Sequence, residues 1–336
     1  MATVITNLLS AIPFFGHDLV ESKYNFATEL IFCLGQTGIG FKNTILPVLP
    51  TVGTVSMQAL KKGRKLRKLR KLRCNDKKEF LSIPSSFIAY LVGLIDGDGY
   101  IQIVKTTKGY ISIKLIICLS LEDISSLEYI YSVLKIGKIQ KYRDIKNPIC
   151  KLTINKTDLQ EIIFPLLLHH NIFFLTESRR AQFDLAMFIL KNEIKHYNQI
   201  SQFKEIPTIF ELPKTAIEYI SLDFFKNWLV GFTNAEGSFC MKKNNDGCFQ
   251  LKQRIHLQLF EAFKLIFNTK RKITIEMDRY IQFSVSSKTD IQTVINFFSF
   301  SGLHPLIGLK NIQYFKWLKS LQNSIRYKNL NLPSLT

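Results

Sequence analysis

Beyond residue 84 the apolar and polar positions of the chain switch between a helical period and a period of two, and the same order of periods runs twice. The stretch Tyr90-Leu91-Val92-Gly93-Leu94-Ile95 is apolar without a break and closes on Asp96-Gly97-Asp98-Gly99. This predicts a buried helix over 86–97, with Ser85 or Ser86 placed to accept its first backbone N–H groups. After Gly99 the period drops to two, predicting a hairpin that turns at Gly109. In its second strand Ile111, Ile113, Leu115, Ile117 and Leu119 form one apolar face, and Ser112, Lys114 and Ser120 lie on the other. Helical spacing returns over 121–135, with Ile124, Leu127, Ile130, Tyr131 and Leu134 on one side. A strand pair at Lys138–Arg143 and Ile149–Ile154 follows, then helices at 157–169 and about 177–193.

Residues 195–222, which hold Pro207 and Pro213, read as a surface linker. The pattern then restarts with Trp228-Leu229-Val230-Gly231-Phe232-Thr233-Asn234-Ala235-Glu236-Gly237-Ser238, predicting a helix over 224–235. Asn244-Asn245-Asp246-Gly247 is a strong turn signal between two strands. Gln250, Lys252 and Arg254 alternate there with Phe249, Leu251 and Ile255. A helix near 259–267, strands at 271–276 and 279–285, and helices at 288–299 and about 309–323 complete the order. The reading is α+β, with halves at 84–194 and 223–327, a joining segment at 195–222 and a tail at 328–336. Such a duplication fixes the architecture before any single motif is interpreted.

The repeated stretch carries chemistry as well as apolar surface. Gly93 and Gly231 lack side chains where one helix backbone can approach another. Gly99 and Gly237 are expected to end their helices in the left-handed conformation of a C-terminal cap. Asp98 and Glu236 then stand at helix C-termini, where the negative end of the dipole disfavours a carboxylate. Two such helices packed together bring two carboxylates and free carbonyl oxygens to one point, which a hard divalent cation such as Mg²⁺ would relieve. A single copy of this pattern would read as a glycine-containing core helix; the second copy, with the same elements after it, argues for a site.

Charge enlarges the picture. The 336 residues hold 45 Lys and Arg against 26 Asp and Glu, a net +19, with 12 Tyr and 27 Phe. That balance points to a polyanion, and to nucleic acid ahead of a membrane surface. Residues 61–73 alone carry nine positive charges, as a solvated linker or a nucleic-acid-binding arm does; the segment 61–83 separates the repeats from an apolar stretch at 1–60. No run there reaches the roughly 18–20 apolar residues a spanning helix needs. Residues 2–21 lack Arg and contain Asp18 and Glu21, unlike a transit peptide. Cysteines 33, 74, 118, 150, 240 and 248 form no C-x-x-C pair, so neither a zinc site nor a disulfide framework is indicated. His169 and His170 have no acidic partner pattern and read as residues of a helix end.

Leu91–Gly99 and Leu229–Gly237 resemble the two motifs of the single-chain LAGLIDADG homing endonucleases encoded within introns. Val92 and Gly97 are the variations in the first, and Phe232-Thr233-Asn234 makes the second looser. The resemblance implies two pseudo-symmetric repeats, each with a curved antiparallel sheet as a DNA saddle and helices behind. It also implies Mg²⁺-dependent hydrolysis of both strands of a long asymmetric DNA target by a monomer, with Mn²⁺ able to substitute. By family role Asp98 and Glu236 hold the metal, helped by the carbonyls of Gly97 and Ala235, and Gly93 and Gly231 lie in the helix interface. His304-Pro305-Leu306-Ile307-Gly308-Leu309-Lys310, with Tyr314 and Trp317, is similar to the signature that closes each half, and Lys310 matches a lysine near the scissile phosphates. A helix-start lysine bound to backbone is an equal reading of Lys310. Phe174-Leu175-Thr176-Glu177-Ser178-Arg179-Arg180 is the first-half equivalent, with Arg179 as counterpart after a one-residue insertion. Gln253 corresponds to a glutamine that positions water, and its first-half counterpart is Leu119, so the half-sites are not equivalent. Base and phosphate contacts are expected from Gln102, Lys105, Ser112, Lys114, Lys141 and Arg143, then from Lys242, Gln250, Lys252, Arg254, Arg271 and Arg279, as a set on one face.

Ala2–Pro13 resembles an internal segment of mitochondrial cytochrome b, implying a reading frame fused in phase to an upstream exon and a protein made in the mitochondrion. Intron proteins of this kind also act as RNA maturases, so group I intron RNA is a second partner, and a maturase that has lost DNA cleavage is the rival reading. A respiratory membrane protein draws only on residues 2–50, and everything after residue 84 argues against it.

Overall fold

The computed structural model describes residues 80–203 and 205–334. The apolar stretch at 1–60 and the basic run at 61–73 lie outside the described residues. Among those described, no helix is long and apolar enough to cross a membrane.

The first half runs α1 (Ser85–Asp98), β1 (Gly99–Lys105), β2 (Ile111–Ser120), α2 (Ile124–Leu134), β3 (Lys138–Tyr142), β4 (Ile149–Asn155), α3 (Phe164–His169) and α4 (Glu177–Lys191). A helical turn at Lys156–Asp158 and a π-helical turn at Leu159–Ile163 lead into α3. After α5 (Ala216–Ser221) in the joining segment, the second half repeats the order. It runs α6 (Phe225–Glu236), β5 (Gly237–Met241), β6 (Gly247–Arg254), α7 (Leu257–Ile266), β7 (Thr274–Glu276), β8 (Tyr280–Val285), α8 (Lys288–Ile295) and α9 (Gly308–Gln322). The sheets are antiparallel, with orders β1-β2-β4-β3 and β5-β6-β8-β7. Equivalent strands thus occupy equivalent places.

The halves meet at α1 and α6. Every residue from Phe87 to Asp96 is buried, as in a helix covered on all sides rather than on one stripe. A Cβ on Gly93 would lie 2.8 Å from the Phe232 nitrogen and closer still to the Trp228 carbonyl oxygen. On Gly231 it would lie 2.9 Å from the Leu94 nitrogen and closer still to the Tyr90 carbonyl oxygen. Backbone lies against backbone at both glycines, so neither position admits a side chain.

Gly99 and Gly237 do not take the left-handed cap conformation. Their backbones are extended, at φ −104° and −81°. They are glycines for want of space: a Cβ on Gly99 would lie 2.8 Å from the Ile95 Cα, and one on Gly237 would lie 2.6 Å from the Thr233 carbonyl oxygen. Each chain therefore passes straight from helix into strand, aiming β1 and β5 away from the helix ends. The expected serine cap of α1 is also replaced. Pro84 takes that position without a side-chain cap bond, and its carbonyl accepts from Phe87 N and Ile88 N at 3.0 and 3.2 Å.

Core and surface follow the alternation in β2, where Ile113, Leu115 and Ile117 are buried. Tyr131 and Ile255 depart from expectation, since both are exposed. Tyr131 lies off the face of α2 formed by Leu127, Ile130 and Leu134, and Ile255 lies just past the end of β6. The joining segment is docked rather than loose. Tyr197 N donates to the Gly109 carbonyl and Ile111 N to that of Lys195, and the Tyr110 and His196 rings stack at 4.7 Å. In the second half the equivalent hairpin is braced by the C-terminal segment, where the Tyr327 hydroxyl accepts from Gly247 N at 3.2 Å and Arg326 pairs with Asp246.

Candidate active site

Because α1 and α6 cross at their glycines, their C-terminal ends arrive side by side. A Cβ on Gly97 would lie 3.2 Å from the Glu236 Cγ and closer still to the Ala235 Cβ. Asp98 is thus brought beside Glu236, each as the last residue of its helix. Burial pushes the Asp98 carboxyl up to about 6, against the opposing pull of Lys310. Burial, and then the charge of Asp98, pushes Glu236 up to about 7. Gln253 Nε2 donates to Glu236 Oε1 at 2.6 Å. Burial leads both shifts, because it disfavours the charged form of a carboxyl group.

That donor set fits a hard divalent cation. It consists of two carboxylates and the carbonyls at Gly97 and Ala235, all oxygen. Among the described residues no group of three or more His, Cys, Asp and Glu is arranged to hold a metal. A few carboxylates with remaining positions left to water or phosphate suits Mg²⁺ better than a softer metal that wants imidazole or thiolate.

Two cations flank the carboxylates. Lys310 Nζ donates to the Gly237 carbonyl oxygen. Burial lowers its pKa, while Asp98, Asp123 and Glu236 act to raise it. Both readings of Lys310 therefore describe the same side chain, bound to backbone and facing the acids. Arg179 is half-buried; its Nε donates to the Ile95 carbonyl at 3.3 Å, and the charges of Asp96, Glu236 and Asp98 act on it. Arg179 is the third residue of α4, as Lys310 is the third of α9. Both helix starts are held from the motif helix of their own half: Asp96 accepts from Leu175 N at 2.8 Å and from N-cap Thr176 N at 3.2 Å, and Asn234 accepts from N-cap Ile307 N at 2.9 Å.

Strand register gives the same correspondence for Gln253. Gly99 pairs with Ile117 and Gly237 with Leu251, so Leu119 and Gln253 each lie two residues further on. Leu119 is 8% exposed and offers no polar atom where Gln253 reaches Glu236.

The sheet faces divide the remaining candidates. Gln102 and Lys114 are direct partners on the face away from the helices, and Ser112 shares it. Lys105 does not. It has the parity of Ile101 and Ile103, pairs with Ile111, and donates to Asn198 Oδ1 of the joining segment at 3.3 Å. Lys141 is likewise on the helix side, opposite buried Cys150 and 3.9 Å from Glu128 of α2. Parity decides both, because one residue of strand reverses the face. The same rule puts Gln140, Lys151 and Thr153, which the sequence did not single out, on the face of Lys114. Lys151 lies 5.1 Å from the Tyr142 ring centroid.

In the second sheet Gln250, Lys252 and Arg254 share the open face, opposite Ser284, Gln282 and Tyr280. Gln282 Nε2 donates to Gln250 Oε1 at 3.0 Å, and Lys252 pairs with Glu276. Lys242 continues that face and donates to Ser286 Oγ at 3.3 Å. Arg143, Arg271 and Arg279 are exposed but lie outside the strands. Two further residues escaped the sequence reading. Asp96 is buried and accepts from Trp228 Nε1 and Leu175 N, each at 2.8 Å, and from Thr176. Asp123 of the first half accepts from Leu309 N of the second at 2.8 Å.

A sequence profile described as LAGLIDADG endonuclease matches residues 91–186 and 229–321, one match in each half. The chain is 25% identical over 233 residues to a probable intron-encoded endonuclease aI3 of Dictyostelium discoideum, covering 68% of this chain and 94% of that protein. A protein of the same description from Dictyostelium citrinum is 26% identical over 232 residues, covering 66% and 90%. Among solved structures, the meganuclease I-SmaMI bound to uncleaveable DNA superposes with TM-score 0.54 at 18% identity, covering 73% of this chain and 93% of that one. The LAGLIDADG meganuclease I-CpaMI bound to uncleaved DNA gives 0.54 at 18% identity, covering 72% and 92%.

Proposed function

The chain belongs to the LAGLIDADG endonuclease family, and from that premise we propose that it is an intron-encoded homing endonuclease that makes double-strand breaks in intronless DNA. The observation that carries this is the meeting of Asp98 and Glu236 at two helix ends, each directly ahead of a sheet, the open faces of the two sheets bearing Gln102, Lys114, Gln250, Lys252 and Arg254. Asp98 and Glu236, with the carbonyls of Gly97 and Ala235, would hold Mg²⁺, or Mn²⁺ in its place. Such ions supply an activated water and stabilise charge on the phosphate and the leaving oxygen.

The chain's own groups do the rest. Gln253 fixes the orientation of Glu236 through its amide. Lys310 and Arg179, one from each half, put positive charge beside the scissile phosphates. The open sheet faces lie along the major groove, where alternate side chains meet base edges and the surrounding lysines and arginines meet phosphate. One chain supplies both halves, so a monomer reads an asymmetric target.

Finer parts of the reading rest on the sequence. The segment resembling cytochrome b supports an origin in that gene's intron and residence in the mitochondrion, with residues 1–60 as leader and 61–83 as a basic linker ahead of repeats at 84–194 and 223–327. The net charge of +19 and the basic run at 61–73 support a second role as maturase of the chain's own group I intron RNA. Incubating the purified chain with DNA spanning the intronless cytochrome b junction tests the first role. Linear products that require Mg²⁺ are expected, and intact DNA at every metal concentration would leave the maturase role alone, to be judged by splicing of the intron RNA.

A further inference from the structure

Asp123 stands directly before α2, where an aspartate ordinarily accepts an N–H from the first turn of its own helix. It makes no such bond. Its Oδ1 instead accepts from Ser126 Oγ at 2.7 Å and from Leu309 N at 2.8 Å, the latter in the other half of the chain. Leu309 is the second residue of α9, so its N–H is one of those a helix start leaves without an acceptor. The residue that would cap α9 from within is Ile307, which has no polar side-chain atom to do so. A carboxylate here also meets the positive end of the α9 dipole.

The junction leaves little room. Gly308 has φ +56°, a conformation that favours glycine, and a Cβ there would lie under 3.0 Å from both Asp123 Oδ1 and Ser126 Oγ. The next residue but one is Lys310, whose ammonium reaches the Gly237 carbonyl at the start of β5. Each half also holds the chain ahead of this helix from its own motif helix, Leu175 N and Thr176 N by Asp96 of α1 and Ile307 N by Asn234 of α6. What α9 has in addition is Leu309 N held by Asp123 from across the half boundary.

We propose that Asp123 is the positioning residue of Lys310: it fixes the start of α9 from across the half boundary and so sets where the ammonium meets the phosphate. Cutting by the second half therefore depends on a side chain of the first. This inference rests on the nuclease reading for its consequence, but not for its geometry.

Hydrogen exchange on the full chain tests the geometry without any substrate. In Asp123→Ala the amides of 308–311 are expected to exchange roughly tenfold faster or more, as for a local opening, with the remaining protection unchanged. Unchanged protection at these amides would overturn the proposal. The consequence is read on whichever duplex the wild-type chain cuts with Mg²⁺, selected from a randomised library. Asp123→Ala is expected to slow one strand by about 10–100-fold, as a small misplacement does, so that nicked DNA accumulates while affinity for the duplex holds. Lys310→Ala should slow the same strand, and adding Asp123→Ala to it should slow cutting no further. Asp123→Asn, which retains an acceptor oxygen, should fall between. Equal slowing of both strands, or effects that multiply, would overturn the proposal. A wild-type chain that cuts no duplex overturns the nuclease reading instead, and the exchange experiment still decides whether Asp123 holds α9.

Discussion

The two halves share one strand order and one succession of elements, yet pack the layer between the sheet and the first following helix with different matter. Between β2, β4 and α2 of the first half that layer is aliphatic: Ile113, Leu115, Ile117, Leu127, Ile130, Leu152 and Ile154 are all 1% exposed or less. The rings of that half, Phe164, Phe174 and Phe183, gather at α3 and α4. In the second, Phe249, Phe263, Phe267 and Phe283 take the corresponding space, and Phe239 and Phe249 stack at 5.0 Å. Branched chains and rings fill a sheet-to-helix interior equally well when volume and alternation are kept. The places where the halves touch or share chemistry are less forgiving. Glycine stands at both crossing points, a carboxylate ends both helices, and a cation is third in both α4 and α9. Where chemistry differs, as with Leu119 against Gln253 and Asp96 against Asn234, the halves cannot perform the same step alike.

Ranked by size, four tests press on this comparison. Gly93→Leu and Gly231→Leu put a side chain where backbone already lies, so each should cost about 1–3 kcal/mol or more and lower the melting temperature to a similar degree. Unchanged melting in both would show that the halves do not meet at these glycines. Gln253→Leu makes the second half resemble the first; it should slow its strand by up to roughly 10²-fold and narrow the difference in strand-cutting rates. A third test concerns the metal-free protein. Asp98 rises from 3.8 to about 6 and Glu236 from 4.5 to about 7 on folding. The native state therefore binds more protons than the unfolded chain through that window, and stability falls as pH rises across it. With chelator present, Glu236→Gln should flatten this slope and raise melting near pH 7.5 by roughly 2–4 °C for about 1 kcal/mol, with the gain vanishing near pH 4. The smallest effect separates sheet faces. Lys151→Ala should lower the salt dependence of DNA binding by about one phosphate contact, and Lys141→Ala, on the helix side, should leave it unchanged.

Much of this was legible in the sequence because it depends on local period. The repeat, both motif helices, the hairpin turns and the two carboxylates follow from spacing within a dozen residues. Faces failed where the period had too little to anchor it. Lys138–Tyr142 contains one aliphatic residue, Ile139, and Lys141 shares its parity; Lys105 extends the parity of Ile101 and Ile103 past the end of the core. Gly99 and Gly237 were legible as required glycines, but not the reason, because crowding by Ile95 and Thr233 is a property of the helix-to-strand passage. Asp123 was invisible. Its sequence neighbours read as the start of α2, and its partner Leu309 is 186 positions away.

The central claim is that the ends of α1 and α6 form one metal-dependent cutting centre shared by both halves. Asp98→Asn and Glu236→Gln test it most directly, because each keeps shape and removes charge. With Mg²⁺ and the DNA that the wild-type chain cuts, each variant should lose cutting of both strands by several orders of magnitude while binding that DNA as tightly as before. A folded double variant that still cuts either strand at the wild-type rate would contradict the claim.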